Sequence, residues 1–276
     1  MSKLEQYFDW QFYLSVYPDL RKNGINTEEQ AISHWQDHGR QEKRIHNRTA
    51  MEKRYVLLLT NSRRVKLSQN ILSRPQQLIN ILIRTSRRPD QFRKCISSVL
   101  GQEYSNMRII VSYDDESCLN YLEQYPMVDK FFVNVESEEK YKFNLYCNDL
   151  MDKVKEGWIM FLDDDDMFVH PHVLSVINCG LLDEDIFLIW KFLRPDHPIF
   201  HKDIDNIQLG EIDTSSFCFH SSHKDLARWG DQQCGDWRFV TELLKSHVFT
   251  RRAIPRILTA TSYNDKIANF GAALEL

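Results

Sequence analysis

Four consecutive carboxylates, Asp163, Asp164, Asp165 and Asp166, follow directly on the apolar run Trp158-Ile159-Met160-Phe161-Leu162. Adjacent like charges repel unless a cation or solvent relieves them. Hard divalent cations such as Mg2+ or Mn2+ take oxygen ligands, and often use only one or two protein carboxylates, with phosphate oxygens filling the remaining positions. The chemistry these residues offer is therefore a metal–diphosphate site. A merely solvated acidic loop is the plainer reading, and the apolar strand leading into the acids argues against it. An EF-hand loop counted from Asp163 requires Gly at its sixth position and Glu at its twelfth, where Phe168 and Leu174 stand. A phosphohydrolase using Asp163 as nucleophile wants Thr or Val two residues after Asp165, and Met167 leaves that reading unsupported.

The elements that position these acids follow from the hydrophobic pattern. Five apolar residues in a row read as a strand covered on both faces, as in a parallel sheet. Its acids then fall at the carboxyl end, the edge where open α/β sheets bind ligands. From Leu78 onward strands and helices alternate, which predicts such a sheet. Leu78–Ile83 is a strand running into Arg84-Thr85-Ser86-Arg87-Arg88-Pro89-Asp90. A helix follows with Phe92, Cys95, Ile96, Val99 and Leu100 on one face, stopped by Gly101. Met107–Val111 is a second strand ending at Tyr113-Asp114-Asp115-Glu116-Ser117. A helix over 116–125, a strand Lys130–Val133 and a helix over 142–155 lead into the Trp158 strand. Three strand ends thus line up Thr85 and Arg87, Asp114 and Asp115, and Asp163–Asp166.

Charge is uneven although the net value is only −4. Residues 61–94 hold nine Lys/Arg against one acid, and 103–166 hold sixteen acids against six bases. A basic stretch alone would suggest nucleic acid. Beside an acidic cluster it fits a site that grips a phosphorylated small molecule through Arg on one side and a metal on the other. At 276 residues, 42% hydrophobic and 27% charged, the composition is that of an ordinary globular protein with room for one large and one small domain. The opening Met-Ser-Lys-Leu-Glu-Gln-Tyr has no apolar signal core, and no run reaches the ~20 residues needed to span a bilayer. A cytoplasmic protein is expected. The six cysteines lack any Cys-x-x-Cys spacing and read as free thiols.

Residues 1–48 read as a separate helical module with an aromatic core from Tyr7, Phe8, Trp10, Phe12, Tyr13, Val16 and Tyr17. Pro18 breaks its first helix, and Asn26 or Thr27 caps a second with Glu29 or Gln30 completing a capping box. Residues 49–76 form a connection with an added strand at Tyr55-Val56-Leu57-Leu58-Leu59. Beyond 170, Ile186–Trp190 and Phe217–Phe219 read as strands, and Gly235-Asp236-Trp237-Arg238-Phe239 opens a helix for which Asp236 is a candidate N-cap. His170, His172, His197, His201, His220 and His223 have metal-like spacings but no strand–turn frame to support them.

Ile83 through Asp90, Ile109-Ile110-Val111-Ser112-Tyr113-Asp114-Asp115-Glu116-Ser117 and Trp158 through Asp166 together resemble the nucleotide-binding half of family 2 glycosyltransferases with the GT-A fold. The resemblance covers residues 77–170 well and the rest loosely. It implies an α/β fold, a mixed and mainly parallel sheet flanked by helices, with a GT-A domain over 77–265 (nucleotide-binding half 77–170, acceptor half 171–265) and a tail at 266–276. It points to Thr85, Arg87, Asp114, Asp115 and Lys142 for the nucleotide, with Asp163 and Asp164 reaching ribose or sugar. It makes Asp165 the principal ligand of Mn2+ or Mg2+, with Asp163 and Asp164 assisting. An acid at the start of the late helix is the catalytic base in similar transferases, which points to Asp236, with Asp231 as fallback. Asp213, Trp190 and Trp237 are expected in the acceptor or sugar pocket. Glu116 stands where Gly is usual, and Arg87 where an aromatic often stacks on the base.

The activity implied is inverting, metal-dependent transfer from a nucleotide-diphosphate sugar, UDP-sugars favoured, to a hydroxyl of a glycan or glycoconjugate, without nucleic acid or membrane span. A sugar-nucleotide nucleotidyltransferase competes, but Arg-Thr-Ser-Arg-Arg replaces the Gly-rich phosphate loop. A catalytically silent glycan-binding or scaffold protein is the remaining alternative. The segment Phe8–Leu14, Tyr17-Pro18-Asp19-Leu20 and His34-Trp35 through Glu42 resembles a short module found beside carbohydrate-acting domains, and a partner protein or a second copy is its expected contact.

Overall fold

The computed structural model describes residues 8–47, 49–51, 53, 54, 57, 61, 74–135, 138, 140–194 and 207–261. The chain divides into two compact units, Met1–Asn61 with Arg194–Pro198, and Ser62–Leu193 with Ile199–Leu276.

In the first unit, helix α1 (Trp10–Val16) starts at Asp9, whose carboxylate accepts the Phe12 amide at 2.9 Å. Pro18 does more than end α1: it occupies the first position of α2 (Pro18–Lys22), where a missing N–H costs nothing. Helix α3 (Glu28–His34) opens with the capping box, Thr27 and Gln30 being the pair used, and runs on as a π-turn, Trp35–Gly39. Tyr13, Leu14, Leu20, Ala31 and Trp35 form the core, and Tyr13 donates to or accepts from His34 Nδ1 at 3.0 Å. The strand expected at 55–59 lies outside the described residues except for Leu57, which is helical.

The second unit is built on β1 (Ile79–Thr85), followed by α4 (Pro89–Leu100), β2 (Met107–Tyr113), α5 (Leu119–Leu122), β3 (Asp129–Phe132), α6 (Tyr146–Asp152), β4 (Trp158–Phe161), β5 (Asp166–Phe168), α7 (Val173–Asn178), β6 (Ile186–Leu193), β7 (Phe217–His220), α8 (Gly235–Leu244) and β8 (Thr250–Thr261). The sheet order is β3-β2-β1-β4-β7-β6-β8-β5. β1 pairs in parallel with β2 on one side and β4 on the other, so the chain leaves β1 in one direction and returns on the opposite flank. That reversal opens a crevice at the carboxyl ends of β1 and β4. β7 is antiparallel to both β4 and β6, which makes the sheet mixed.

Gly157 sets the entry to β4. Its φ is +85°, and a Cβ there would lie 2.7 Å from the Leu78 carbonyl, so only glycine lets the strand begin beside β1. Phe161, Phe217, Phe219, Trp229 and Phe239 then share one core with Leu82 and Ile110, and the Trp229 and Phe239 rings stack at 4.7 Å. The helix expected over 116–125 is a 3-10 turn, Glu116–Cys118, followed by the short α5. That expected over 142–155 is a 3-10 turn, Lys142–Leu145, followed by α6. All six cysteines are free. No helix among the described residues is long and apolar enough to cross a membrane.

Candidate active site

β1 continues to Thr85 while β4 ends level with Leu82, and the Leu162 amide donates to the Leu82 carbonyl at 3.0 Å. The acids that follow are therefore laid beside Arg84, Thr85 and Arg88. Arg84 grips Asp163 with a two-pronged pair, Nε to Oδ1 at 2.7 Å and Nη2 to Oδ2 at 2.8 Å. Its third nitrogen, Nη1, donates to the Phe143 carbonyl at 3.1 Å and to Asn144 Oδ1 at 3.2 Å. The guanidinium also lies 4.9 Å from the Phe143 ring centroid. Such a planar, delocalised cation is suited to a largely buried pair.

Asp164 is fully buried. It accepts from Thr85 Oγ1 at 2.7 Å and is paired with Arg88. Thr85 also meets the Tyr121 hydroxyl at 2.9 Å. Thr85 and Asp164, expected to meet the nucleotide, are thus mutually engaged below the surface. Burial pushes the Asp164 carboxyl up to about 7 against the pull of Arg88. Asp165 is the more open acid, its side chain 28% exposed, with Arg88 Nη1 3.3 Å from Oδ2. Burial and the neighbouring Asp163 charge raise its carboxyl to about 6. Asp166 begins β5 and is raised by burial and then by Asp213.

A carboxylate that resists ionisation beside other acids is one that a cation stabilises. Mg2+ and Mn2+ take carboxylate oxygens, and Asp165 is the most exposed of the four acids. Asp163, expected as an assisting ligand, gives both oxygens to Arg84. Among the described residues no group of three His, Cys, Asp or Glu gathers as a ligand set. His197 and His201 lie outside the described residues.

At the neighbouring strand end, Asp114 accepts from the Tyr146 hydroxyl at 3.0 Å through Oδ2, while its Oδ1 is buried with no hydrogen-bond partner among the described residues. Burial, and then the Asp114 charge, push the Tyr146 phenol up to about 12. Asp115 caps the 3-10 turn, accepting the Ser117 amide at 2.9 Å and the Ser117 hydroxyl at 2.5 Å. These bonds hold its carboxyl below the usual range. Arg87 has φ +53°, a left-handed conformation. Its exposed side chain reaches within 3.8 Å of Asp115. Lys142 is exposed at the start of its turn.

In the acceptor half, Cys234 at φ +58° is the N-cap of α8, and Asp236 sits in the first turn with its Oδ1 accepting the Trp237 amide at 2.8 Å. The N-cap reading of Asp236 is thereby corrected. Trp237 is half-buried, its Nε1 donating to the Ile207 carbonyl at 3.3 Å. Trp190 lies in the core, its Nε1 donating to Thr259 Oγ1 at 3.3 Å. β6 is buried along nearly its whole length, and Trp190 shares that burial. Asp213 is buried and caps the turn Thr214–Ser216, and its charge acts on Asp166. Asp231 is partly exposed in the loop before α8.

Arg84, Arg88 and Asn144 were not singled out from the sequence. The available signal was an arginine inside a strand that the resemblance placed opposite four acids, since a charge so buried needs a partner.

The mixed, mainly parallel sheet flanked by helices, with acids at its carboxyl edge, is the GT-A arrangement. Residues 81–178, which run from β1 through α7 and carry the whole acidic edge, match the family model described as Glycosyl transferase family 2. No curated protein matches the chain. Among solved structures, S. aureus TarS 1–349 is similar with a TM-score of 0.52 at 10% identity, over 67% of this chain and 60% of that one. Its complex with UDP-GlcNAc gives 0.51 at 10%, over 68% and 59%. The mannosyltransferase PcManGT from Pyrobaculum calidifontis, in complex with GDP-Man and Mn2+, gives 0.52 at 11%, over 82% and 73%. The chain spans about three fifths of the TarS 1–349 length, and at these identities the likeness is one of fold.

Proposed function

We propose that the chain is a metal-dependent, inverting glycosyltransferase that moves a sugar from a nucleotide-diphosphate sugar, with UDP-sugars favoured, to a hydroxyl of a glycan or glycoconjugate. The observation that carries the reading is Asp165: the most open of the four acids, standing at the crevice of β1 and β4 with Arg88 beside it. When bound, Mn2+ or Mg2+ supplies Lewis acidity to the leaving diphosphate. The chain's own residues do the rest. Arg88, 43% exposed, has a guanidinium free enough to share the charge that develops on the diphosphate. The buried Oδ1 of Asp114, without a hydrogen-bond partner among the described residues, is an acceptor suited to a nucleotide N–H or hydroxyl, and Asp115, Arg87 and Lys142 flank it. Asp163 and Asp164, held by Arg84, Arg88 and Thr85, fix the strand end that carries Asp165. Asp236 takes the proton of the acceptor hydroxyl, a general-base contribution of about 10²–10⁴-fold. One base and direct attack give inversion at the anomeric carbon.

Thermal unfolding with UDP, GDP, CMP and TDP, each with and without Mn2+, tests the donor site. A ligand at a hundred times its dissociation constant adds about 2.7 kcal/mol. A Mn2+-dependent shift with one diphosphate supports the assignment and names the donor class; no shift with any nucleotide sinks it. Asp236→Asn is expected to abolish transfer while leaving that shift in place.

A further inference from the structure

One face of the segment 142–152 holds the loop in front of α8. Asn144 and Asn148 lie one helical turn apart, on the same side. Asn144 Nδ2 donates to the Gln232 carbonyl at 2.9 Å. Asn148 Nδ2 donates to the Trp229 carbonyl, and its Oδ1 accepts the Trp229 amide, both at 2.9 Å. The stretch 227–234 has no strand or helix backbone pairing, and buried backbone groups outside regular structure require side-chain partners. Three are supplied here by two carboxamides.

The contact extends to the first residue of α8. A Cβ on Gly235 would lie 2.5 Å from Asn144 Nδ2 and 2.8 Å from its Cγ, so the backbone at 235 rests directly on the amide. With Cys234 held at φ +58°, the direction in which α8 sets out depends on where Gly235 is seated. Asp236 is the next residue. On its other side Asn144 Oδ1 accepts from Arg84 Nη1 at 3.2 Å, the guanidinium that grips Asp163. Asn144 is itself 5% exposed, which protects both bonds from water.

We infer that Asn144, seconded by Asn148, is a positioning residue for Asp236: through Arg84 it ties the acidic strand end to the turn that presents the base, fixing one against the other. The inference rests on Asp236 being the base. A constellation of this kind must be held within about 0.5 Å, and a displacement of about 1 Å can cost ~10²-fold in rate. A carboxamide is required because it accepts on one side and donates on the other. Aspartate at 144 would retain the Arg84 bond and lose the Gln232 bond.

Hydrogen exchange in the free chain tests the tie without any ligand. Asn144→Asp is expected to raise amide exchange across 230–238 about tenfold or more, with β4 unchanged and with the stabilisation by UDP or GDP and Mn2+ within about twofold of wild type. Release of UDP or GDP from UDP-GlcNAc or GDP-mannose, with water as acceptor, is expected to fall about 10–100-fold in rate at unchanged KM. Gly235→Ala is expected to lose most of its own exchange effect in an Asn144→Ala background, since the collision partner is gone; independent effects would add. Wild-type exchange at 230–238 in Asn144→Asp, or strict additivity of the pair, overturns the inference. If Asn144→Asp does not fold, Asn148→Asp reads the same exchange from the Trp229 side. Turnover surviving in Asp236→Asn while the exchange result holds would remove Asp236 as base and leave the tie in place as a structural link alone.

Discussion

Arg84 and Asp163 are joined by two parallel hydrogen bonds of 2.7 and 2.8 Å, with the arginine side chain 13% and the aspartate side chain 21% exposed. The pair sets one residue of the acidic run apart from the others. Asp163 is committed to the fold, whereas Asp165, two residues on, stays open to the crevice.

Arg84→Met should therefore act first on stability. Removing one partner of a buried pair leaves an uncompensated charge and costs about 3–5 kcal/mol. The partial exposure of Asp163 places the expected loss at the lower end. Arg84→Lys returns the charge without the fork, and an intermediate value is expected. Denaturant midpoints for the three chains decide the order.

Thr85→Val keeps the shape of a β-branched strand residue and deletes the hydroxyl given to Asp164. With that carboxylate fully buried, the loss is expected at about 1–3 kcal/mol. If Thr85 donates to Asp164, the Tyr121 hydroxyl must donate to Thr85. Tyr121→Phe should then cost less, because it empties only an acceptor position. Equal losses in the two variants, measured by urea unfolding, would refute that direction of the bonds.

The parts of the sheet that could be read from sequence are those written in apolar runs. β1, β2 and β4 carry the apolar runs Ile81–Ile83, Ile109–Val111 and Trp158–Phe161, because strands covered on both faces need no alternation. β5 escapes that pattern because its first residue, Asp166, belongs to the acidic run. β8 escapes because Arg251, Arg252, Pro255 and Arg256 interrupt it. The structure accommodates the proline where the pairing with β6 skips from Ile254 to Ile257, as proline in a sheet requires. The edge that gathers Thr85, Asp114, Asp115 and the four acids was legible from strand ends alone. What bonds to what was not, since Asn144 and Asn148 read as the wet face of an amphipathic helix, and only tertiary packing covers them with the 229–235 loop.

Asp165→Asn and Asp163→Asn separate ligand from scaffold. The first is expected to remove the Mn2+-dependent part of nucleotide stabilisation while leaving the metal-free melting temperature near wild type. The second should lower the metal-free melting temperature by loosening Arg84. A loss of the Mn2+ effect in Asp163→Asn at unchanged metal-free stability would return Asp163 to the coordination sphere. Melting curves with and without Mn2+ read both quantities.

Acid sensitivity has a source away from the crevice. His170 is 4% exposed and its Nδ1 accepts the His172 amide at 3.1 Å, while Nε2 is buried with no hydrogen-bond partner among the described residues. Burial, with smaller contributions from His172 and Arg256, pushes its imidazole down to about 4. The neutral ring is the form the fold accepts. In the unfolded chain the same group takes a proton near 6.5, so between about 6.5 and 4 the unfolded state binds more protons and stability falls as pH falls. The contribution is fully present above 6.5 and lost by about 4, amounting to at most about 3 kcal/mol at 1.36 kcal/mol per unit. Asn at this position offers an Oδ1 acceptor to the His172 amide and cannot titrate. His170→Asn is expected to flatten the stability profile over that window while lowering its plateau at pH 7. Unfolding free energies from pH 4 to 7.5 check this, and an unchanged slope would assign the acid limb to other groups.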